Sequence, residues 1–563
     1  MSNQSRSNLI EVENLHTPLC LFRLRAKIAL SRLNFARKTP CTFIAMPIHH
    51  VTASRIWTGD ASAPWAKCMS IENGLINSLD HKPPQSKHTL NLDDAWILPG
   101  LIDSHLHLLM GGLSLGRLDL AGARSREEFE KLIDARATQL APDRWLESFG
   151  WNENNWGGEK PDSTWLRSAG DRPAIAWRCD QHSAVINQHA CAILGLNADT
   201  KSPAGGTIVR DSSGAPTGLL LEQAAWKLLV PHIPQPSRAM KKQACADACA
   251  YLLSVGVTSV GAMEYLEDIE HILAPACSES ALRVRVRATV LDRERPLPFA
   301  RADAIHGNDF LRVIGFKSFA DGTLGSSTAA MIDDYSDVAG SGTLMEHALE
   351  GTLADWMREV LAAGYSPSVH AIGDRALGEV LRAAVAADPA RRVRFEHAQT
   401  VHPDTLAQFQ SRIISMQPFH KATDAPLAAT RLGSHRQNRV FQFREFLLSG
   451  ARLAFGSDWP IVTADPLEGM RVAITGVALD GKVHGAKQNL TPEEAIAAYT
   501  TGAADCLGDS RLMGRLSPGL FADFVALDRN PFACNWMDEA PQVVMTVVGG
   551  VVQYDARAQV VLR

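Results

Sequence analysis

At 563 residues the chain exceeds one ordinary domain and can hold one large barrel with a smaller companion, not four lobes. Its 46% apolar and 21% charged content is near the globular average, and a net charge of −5 over that length carries no signature of nucleic-acid or acidic-membrane binding. The ten cysteines form no CxxC pair and no disulfide-dense framework, which points to a reducing, cytoplasmic home, and no apolar run reaches the roughly eighteen residues a bilayer span needs.

Residues 1–45 are basic, with Arg6, Arg23, Arg25, Lys27, Arg32, Arg37 and Lys38 against Glu11 and Glu13. They read as a dispensable N-terminal extension: either a transit-type segment, Arg-rich and acid-poor, or the product of a start codon placed ahead of Met46. Residues 46–98 then alternate short β-like runs with turns (HHVTASRIWTG, AKCMSIENGLINSL, AWILPG), and residues 506–563 do the same (ADFVALDRN, QVVMTVVGGVVQYD). Neither end makes a stable sheet by itself, so the economical arrangement pairs both into one small β-sandwich; two independent flaps are the alternative.

Residues 99–505 carry eight apolar, β-rich runs with helical segments behind them: ILPGLIDSH, GVTSVGAM, RVRVRATV, LRVIGFKSF, YSPSVHA, RVRFEHA, RIISMQP and ARLAFGSD. Helical stretches such as LADWMREVLAAG space their apolar residues by three and four and stop at Gly or Asp-Pro. This alternation predicts an α/β fold, a closed (β/α)8 barrel of the TIM type. A doubly wound open sheet alternates in the same way, but no GxGxxG turn follows the first strand.

About 140 residues separate the first barrel strand from the second, far more than a βα unit requires. The excess, residues 113–250, reads as an insertion and holds Trp145, Trp151, Trp156, Trp165, Trp177 and Trp226, half of the twelve tryptophans. An insertion after strand one emerges at the C-terminal mouth, where barrel active sites lie. A lid with Trp151 at the substrate is therefore one expectation, and a small core of the insertion's own is the other.

His105 and His107, spaced i, i+2 at a strand end, point to the same face, which suits two imidazoles on one metal. An isolated HxH is a weak signal. The other strand ends repeat the theme: Lys317 closes the fourth run, His370 the fifth, His397 the sixth and Asp458 the eighth. Polar residues at that rim read as catalytic, because unpartnered His and Asp in a packed core are costly.

The runs PGLIDSHLHL, GFKSFADGTLGS, SVHAIGDRAL, RFEHAQTV and LAFGSDWPI resemble, in order and spacing, the amidohydrolase superfamily. The likeness is to its YtcJ-like, or amidohydrolase-3, branch, which includes N-substituted formamide deformylase, and it spans residues 46–563. It implies that His105, His107, His370, His397 and Asp458 are metal ligands and that Lys317 is carboxylated to bridge two ions, against a neutral lysine beside one. The cofactor expected is a divalent metal, Zn2+ first. Asp458 would also move the proton of the attacking water. The activity implied is hydrolysis of an amide or formamide-like, non-peptide C–N bond in a small molecule. Ester hydrolysis, metal-assisted decarboxylation and a non-catalytic binding scaffold remain the alternatives. Neither nucleic acid nor membrane is expected as a partner, and related barrels often form homodimers.

Second-tier residues follow from the same resemblance. RCDQHSAVIN, with His182 and Asn187, is similar to a family segment whose histidine approaches the substrate, which places His182 there, against a structural histidine. Gln181 stands where that segment has Gly, and Ser327 where Arg is common. Asp321, Gly322 and Asp374 are read as loop and supporting residues; His420 in MQPFHKATD is within reach of the pocket mouth but is read as a solvated loop histidine.

Overall fold

The computed structural model describes residues 48–80, 89–141, 144–178, 183–203, 206–222 and 224–560; the 1–45 extension lies outside them. Eight strands form the predicted barrel: β1 (Leu101–Leu106), β2 (Val257–Glu264), β3 (Arg285–Val290), β4 (Leu311–Phe319), β5 (Ser366–Ala371), β6 (Arg394–His397), β7 (Ile413–Met416) and β8 (Arg452–Phe455). They hydrogen-bond in chain order, every adjacent pair parallel. Residues of β2 and β3 are buried throughout, as parallel strands enclosed between a barrel interior and covering helices must be. The helix Leu353–Ala362 shows how the cover is made: Leu353, Trp356, Met357 and Val360 form one buried stripe at i, i+3, i+4 and i+7.

β1 and β8 are joined by a short seam instead of a ladder. The Asp103 carboxylate accepts the N–H groups of His105 and Ser457, each at 3.0 Å. The His105 carbonyl accepts the N–H groups of Ser457 and Asp458 at 3.2 and 2.7 Å. A Cβ on Gly456 would stand 2.6 Å from the His105 nitrogen, so glycine is what lets the two strands approach. At the other end of the strands, Arg285 holds Asp523 through two hydrogen bonds of 2.7 and 3.0 Å. Arg287 and Arg312 share Asp509. These pairs, made on the buried carboxylates of Asp509 and Asp523, fasten the strand starts to the C-terminal segment.

The two chain ends meet in one eight-stranded sheet. Trp96–Pro99 runs antiparallel to Phe524–Leu527, with Pro99 opposite Phe524. Val51, Ala53, Ile56 and Ile97 from the first end pack with Phe524, Ala526, Met545 and Val547 from the second. Alternate residues of the same strands, Leu98, Val525, Leu527 and Val548, belong to the barrel's core, so the central strands are buried on both faces with a period of two. No helix among the described residues is long and apolar enough to cross a membrane.

Residues Arg117–Gln235 form a compact unit of their own, narrower than the 113–250 expected. The helix Arg238–Ser254 lies outside it, with Cys245, Ala248, Cys249, Leu252 and Leu253 in the barrel's apolar core. Within Arg117–Gln235, Trp151 and Trp165 are 1% and 0% exposed. The Trp151 indole N–H donates to the Ala176 carbonyl at 2.8 Å, and Phe129 meets Trp165 edge-on with centroids 5.3 Å apart. Of the two places expected for Trp151, the substrate or a core of the insertion's own, its packing is the second. Replacing Trp165 with Ala should cost about 3–5 kcal/mol of stability. Limited proteolysis will show it as faster cleavage within residues 117–235, and cleavage at the wild-type rate would contradict that packing.

Candidate active site

The rim residues from β1, β5 and β6 and from the segment past β8 converge. Each of four imidazoles is held at one ring nitrogen by a protein acceptor. His105 donates from Nδ1 to Glu396 at 2.6 Å, His107 from Nδ1 to the Met263 carbonyl at 3.2 Å, and His397 from Nδ1 to the Gln417 amide oxygen at 2.8 Å. His370 instead donates from Nε2 to the Gly322 carbonyl at 2.9 Å. These bonds fix the tautomers, leaving a lone pair on Nε2 of His105, His107 and His397 and on Nδ1 of His370, as in metal sites whose histidines are oriented from behind.

The free Nε2 atoms of His105 and His107 lie 3.5 and 3.3 Å from Asp458 Oδ1. Ligand atoms of this trio fall within 4.8 Å of one another. The His397 ring is 5.0 Å from that of His105 and 4.5 Å from that of His370, centroid to centroid. His397 and Asp458 sit in the left-handed backbone region, at φ 68° and 60°. That conformation costs roughly 1 kcal/mol or more in a non-glycine residue and persists where the surroundings demand it, commonly at functional sites.

Burial, with the nearby Lys317 charge, pushes His105 and His370 down to about 4. Burial and the neighbouring His370 hold His397 well below the usual imidazole range. These rings are neutral at pH 7, the form that binds a cation. His107 shifts upward: burial opposes protonation, but the Asp458 hydrogen bond and charge prevail. Asp458 is correspondingly held well below the carboxylate range, burial being outweighed by the surrounding imidazoles. Lys317, 2% exposed, is pushed down to about 8 by burial against the pull of Glu396 and Asp458. Its Nζ lies 5.3 Å from the Phe319 ring centre and has no ion-pair partner among the described residues.

Comparison with known proteins identifies the frame. The sequence profile described as "Amidohydrolase family" matches residues 88–554. The chain belongs to the amidohydrolase family. Among its relatives, the protein LONG AFTER FAR-RED 3 of Arabidopsis thaliana is 33% identical over 89% of this chain and 90% of its own. YtcJ of Bacillus subtilis (strain 168) is 30% identical over 83% and 90%. N-substituted formamide deformylase of Arthrobacter pascens is 23% identical over 83% and 90%. A crystal structure of an uncharacterized metal-dependent hydrolase from Pyrococcus horikoshii OT3 superposes with a TM-score of 0.71 at 27% identity, covering 86% of this chain and 98% of that one.

As an amidohydrolase-family member the protein is a hydrolase, and its remaining site residues divide into supports and outliers. Asp321 accepts the N–H groups of Ala330, Ile372 and Gly373 at 2.8, 3.0 and 2.8 Å, binding the loop after β4 to the one after β5 that follows His370. Asp374 accepts the Ile332 N–H at 2.8 Å. Asn187 caps the helix Gln188–Ile193 and so is structural, while His182 lies outside the described residues.

Sequence reasoning passed over one residue and misread another. Glu396, inside the quoted RFEHAQTV, accepts from His105 and from the Ser368 hydroxyl and pairs with Arg394 at 2.9 Å. Burial alone would raise its pKa, but Arg394 and His105 bring it well below the usual value. Its available signal was the i, i+2 pair Arg394 and Glu396 immediately before His397 in the run RVRFEHA. His420, read as a solvated loop residue, is corrected: its side chain is 12% exposed and its Nε2 stands 3.7 Å from Asp458 Oδ2.

Proposed function

We propose that this amidohydrolase-family protein hydrolyses an amide or formamide-like C–N bond of a small molecule, using a divalent metal held by His105, His107, His370, His397 and Asp458. The observation that carries the reading is the set of four imidazoles, each pinned at one nitrogen, with the free nitrogens of His105 and His107 converging on Asp458 Oδ1. The relatives support the bond type through the formamide deformylase, and the Pyrococcus structure supports metal dependence. A Zn2+-type ion bound there supplies Lewis acidity and lowers the pKa of a water towards about 7. Asp458, ionised and facing the imidazoles, accepts the proton of the attacking water and delivers it to the departing amine. The seven described cysteines are free thiols, which suits action in the reducing cytoplasm.

Lys317 completes the proposal as a carbamate. A buried amine with a depressed pKa spends more time neutral and can add carbon dioxide, losing a proton and becoming an anion able to bridge two cations. Lys317→Ala should then lose one metal equivalent and activity, with partial recovery when a short carboxylic acid is supplied. Full metal content with normal turnover would eliminate the bridge and leave a one-metal site.

The primary test is metal analysis with turnover on N-formyl amines, other amides and esters. Hydrolysis of the amides or formamides, lost on chelation and regained with Zn2+, is the expected result. Turnover of esters alone would favour the alternative chemistry, and metal-independent turnover would reject the site.

A further inference from the structure

The two oxygens of Asp458 face different neighbours. Oδ1 faces Nε2 of His105 and His107, whereas Oδ2 faces Nε2 of His420. His420 stands in the first turn of the helix Pro418–Leu432 that follows β7, a strand that supplies none of the proposed metal ligands. That turn is fixed. Phe419 and Ala422 pack with Val472, the Ala422 carbonyl accepts the Leu479 N–H at 3.0 Å, and the His420 carbonyl accepts the Thr423 hydroxyl at 2.9 Å. The His420 ring lies 6.3 Å from that of His397, centroid to centroid, so it borders the same site. Its Nε2 is buried without a hydrogen-bond partner, and 3.7 Å to Asp458 is too long for one.

A buried donor beside an ionised carboxylate, satisfied by nothing in the protein, is unfavourable unless a ligand completes it. We propose that His420 is a substrate-contacting catalytic residue: its Nε2–H donates to the oxygen of the scissile carbonyl, on the Oδ2 side of Asp458. The inference rests on the hydrolytic reading above and adds a residue to it. As the water oxygen bonds to the carbonyl carbon, the C=O π pair moves onto the carbonyl oxygen and the water proton goes to Asp458. The His420 N–H strengthens its hydrogen bond to that oxygen as charge grows. Collapse re-forms C=O, breaks the C–N bond and sends the proton from Asp458 to the amine, while His420 keeps its own proton throughout.

The test compares His420→Ala with His420→Gln, whose side-chain amide returns an N–H donor near the lost position. For each, metal per chain, thermal midpoint, kcat, KM and the affinity of the metal-loaded protein for a tetrahedral phosphonate analogue of the amide are measured. His420→Ala should lower kcat by about a hundredfold or more, the scale for one lost oxyanion donor. KM and metal content should hold, while phosphonate affinity falls by a similar factor. His420→Gln should recover about tenfold in both. Loss of metal in His420→Ala, unchanged phosphonate affinity, or a glutamine variant no better than alanine would each overturn the proposal. If the wild type turns over none of the panel, the reaction assignment fails separately, and phosphonate affinity still decides His420. A wild type that does not bind the phosphonate rejects both.

Discussion

Asp458→Asn should lower turnover by about a hundredfold or more, the scale of losing a general base, while metal stays bound. The substitution keeps the shape of the side chain and one oxygen towards His105 and His107. It removes the charge that those imidazoles hold ionised and the basic oxygen that would take the water's proton. The four histidines keep their backing bonds to Glu396, Met263, Gly322 and Gln417, so the site remains a competent chelator. Elemental analysis alongside kcat separates the roles. His105→Ala combined with His107→Ala should instead drop occupancy and activity together, because it takes two ligands from one ion. If Asp458→Asn lost metal as completely as that double variant, Asp458 would be a ligand whose service as a base could not be told apart.

Glu396→Ala should be the most destabilising single change near the site, by about 3–5 kcal/mol, because it strands a buried guanidinium. Arg394 is 1% exposed, and Glu396 is its only carboxylate partner among the described residues. The same change removes the acceptor that fixes the His105 tautomer, and loss of such an outer partner typically weakens metal affinity by about 10–100-fold. Thermal unfolding and metal retention against a chelator read the two effects separately. The folded pKa of Glu396 lies below its ordinary 4.5, so its stabilisation is complete above that value and is lost as pH falls towards the folded one. Wild-type unfolding should therefore show an acid-side loss of stability that Glu396→Gln lacks. A wild-type melting temperature and normal metal retention in Glu396→Ala would remove both roles.

The barrel and its rim could be read from the chain because each site residue ends an apolar run, where strand periodicity shows where its side chain points. Glu396 and Arg394 lie within such a run, and nothing in a linear sequence says that a charged pair there faces His105, about 290 residues away. His420 escaped for a related reason: two residues into a helix, its nearness to Asp458 depends on how the β7 and β8 segments are placed in space. Trp151 was left with two places because position after strand one suggests a mouth-facing segment without saying which way an indole turns. The insertion's own sheet turns it inwards, onto the Ala176 carbonyl.

The seam between β1 and β8 has a consequence for biosynthesis. It joins Asp103 to Ser457 across 354 positions of chain, and His105, His107 and Asp458 straddle it. On a ribosome adding about 5–20 residues per second, His105 and His107 wait on the order of tens of seconds for Asp458 to be made. Trp96–Pro99, the strand leading into β1, waits longer for its partner Phe524–Leu527. A nascent chain or truncated fragment lacking the last barrel segments therefore displays paired imidazoles with no third ligand from Asp458. Asp458 and the closure of the seam thus arrive together, only when translation is nearly finished.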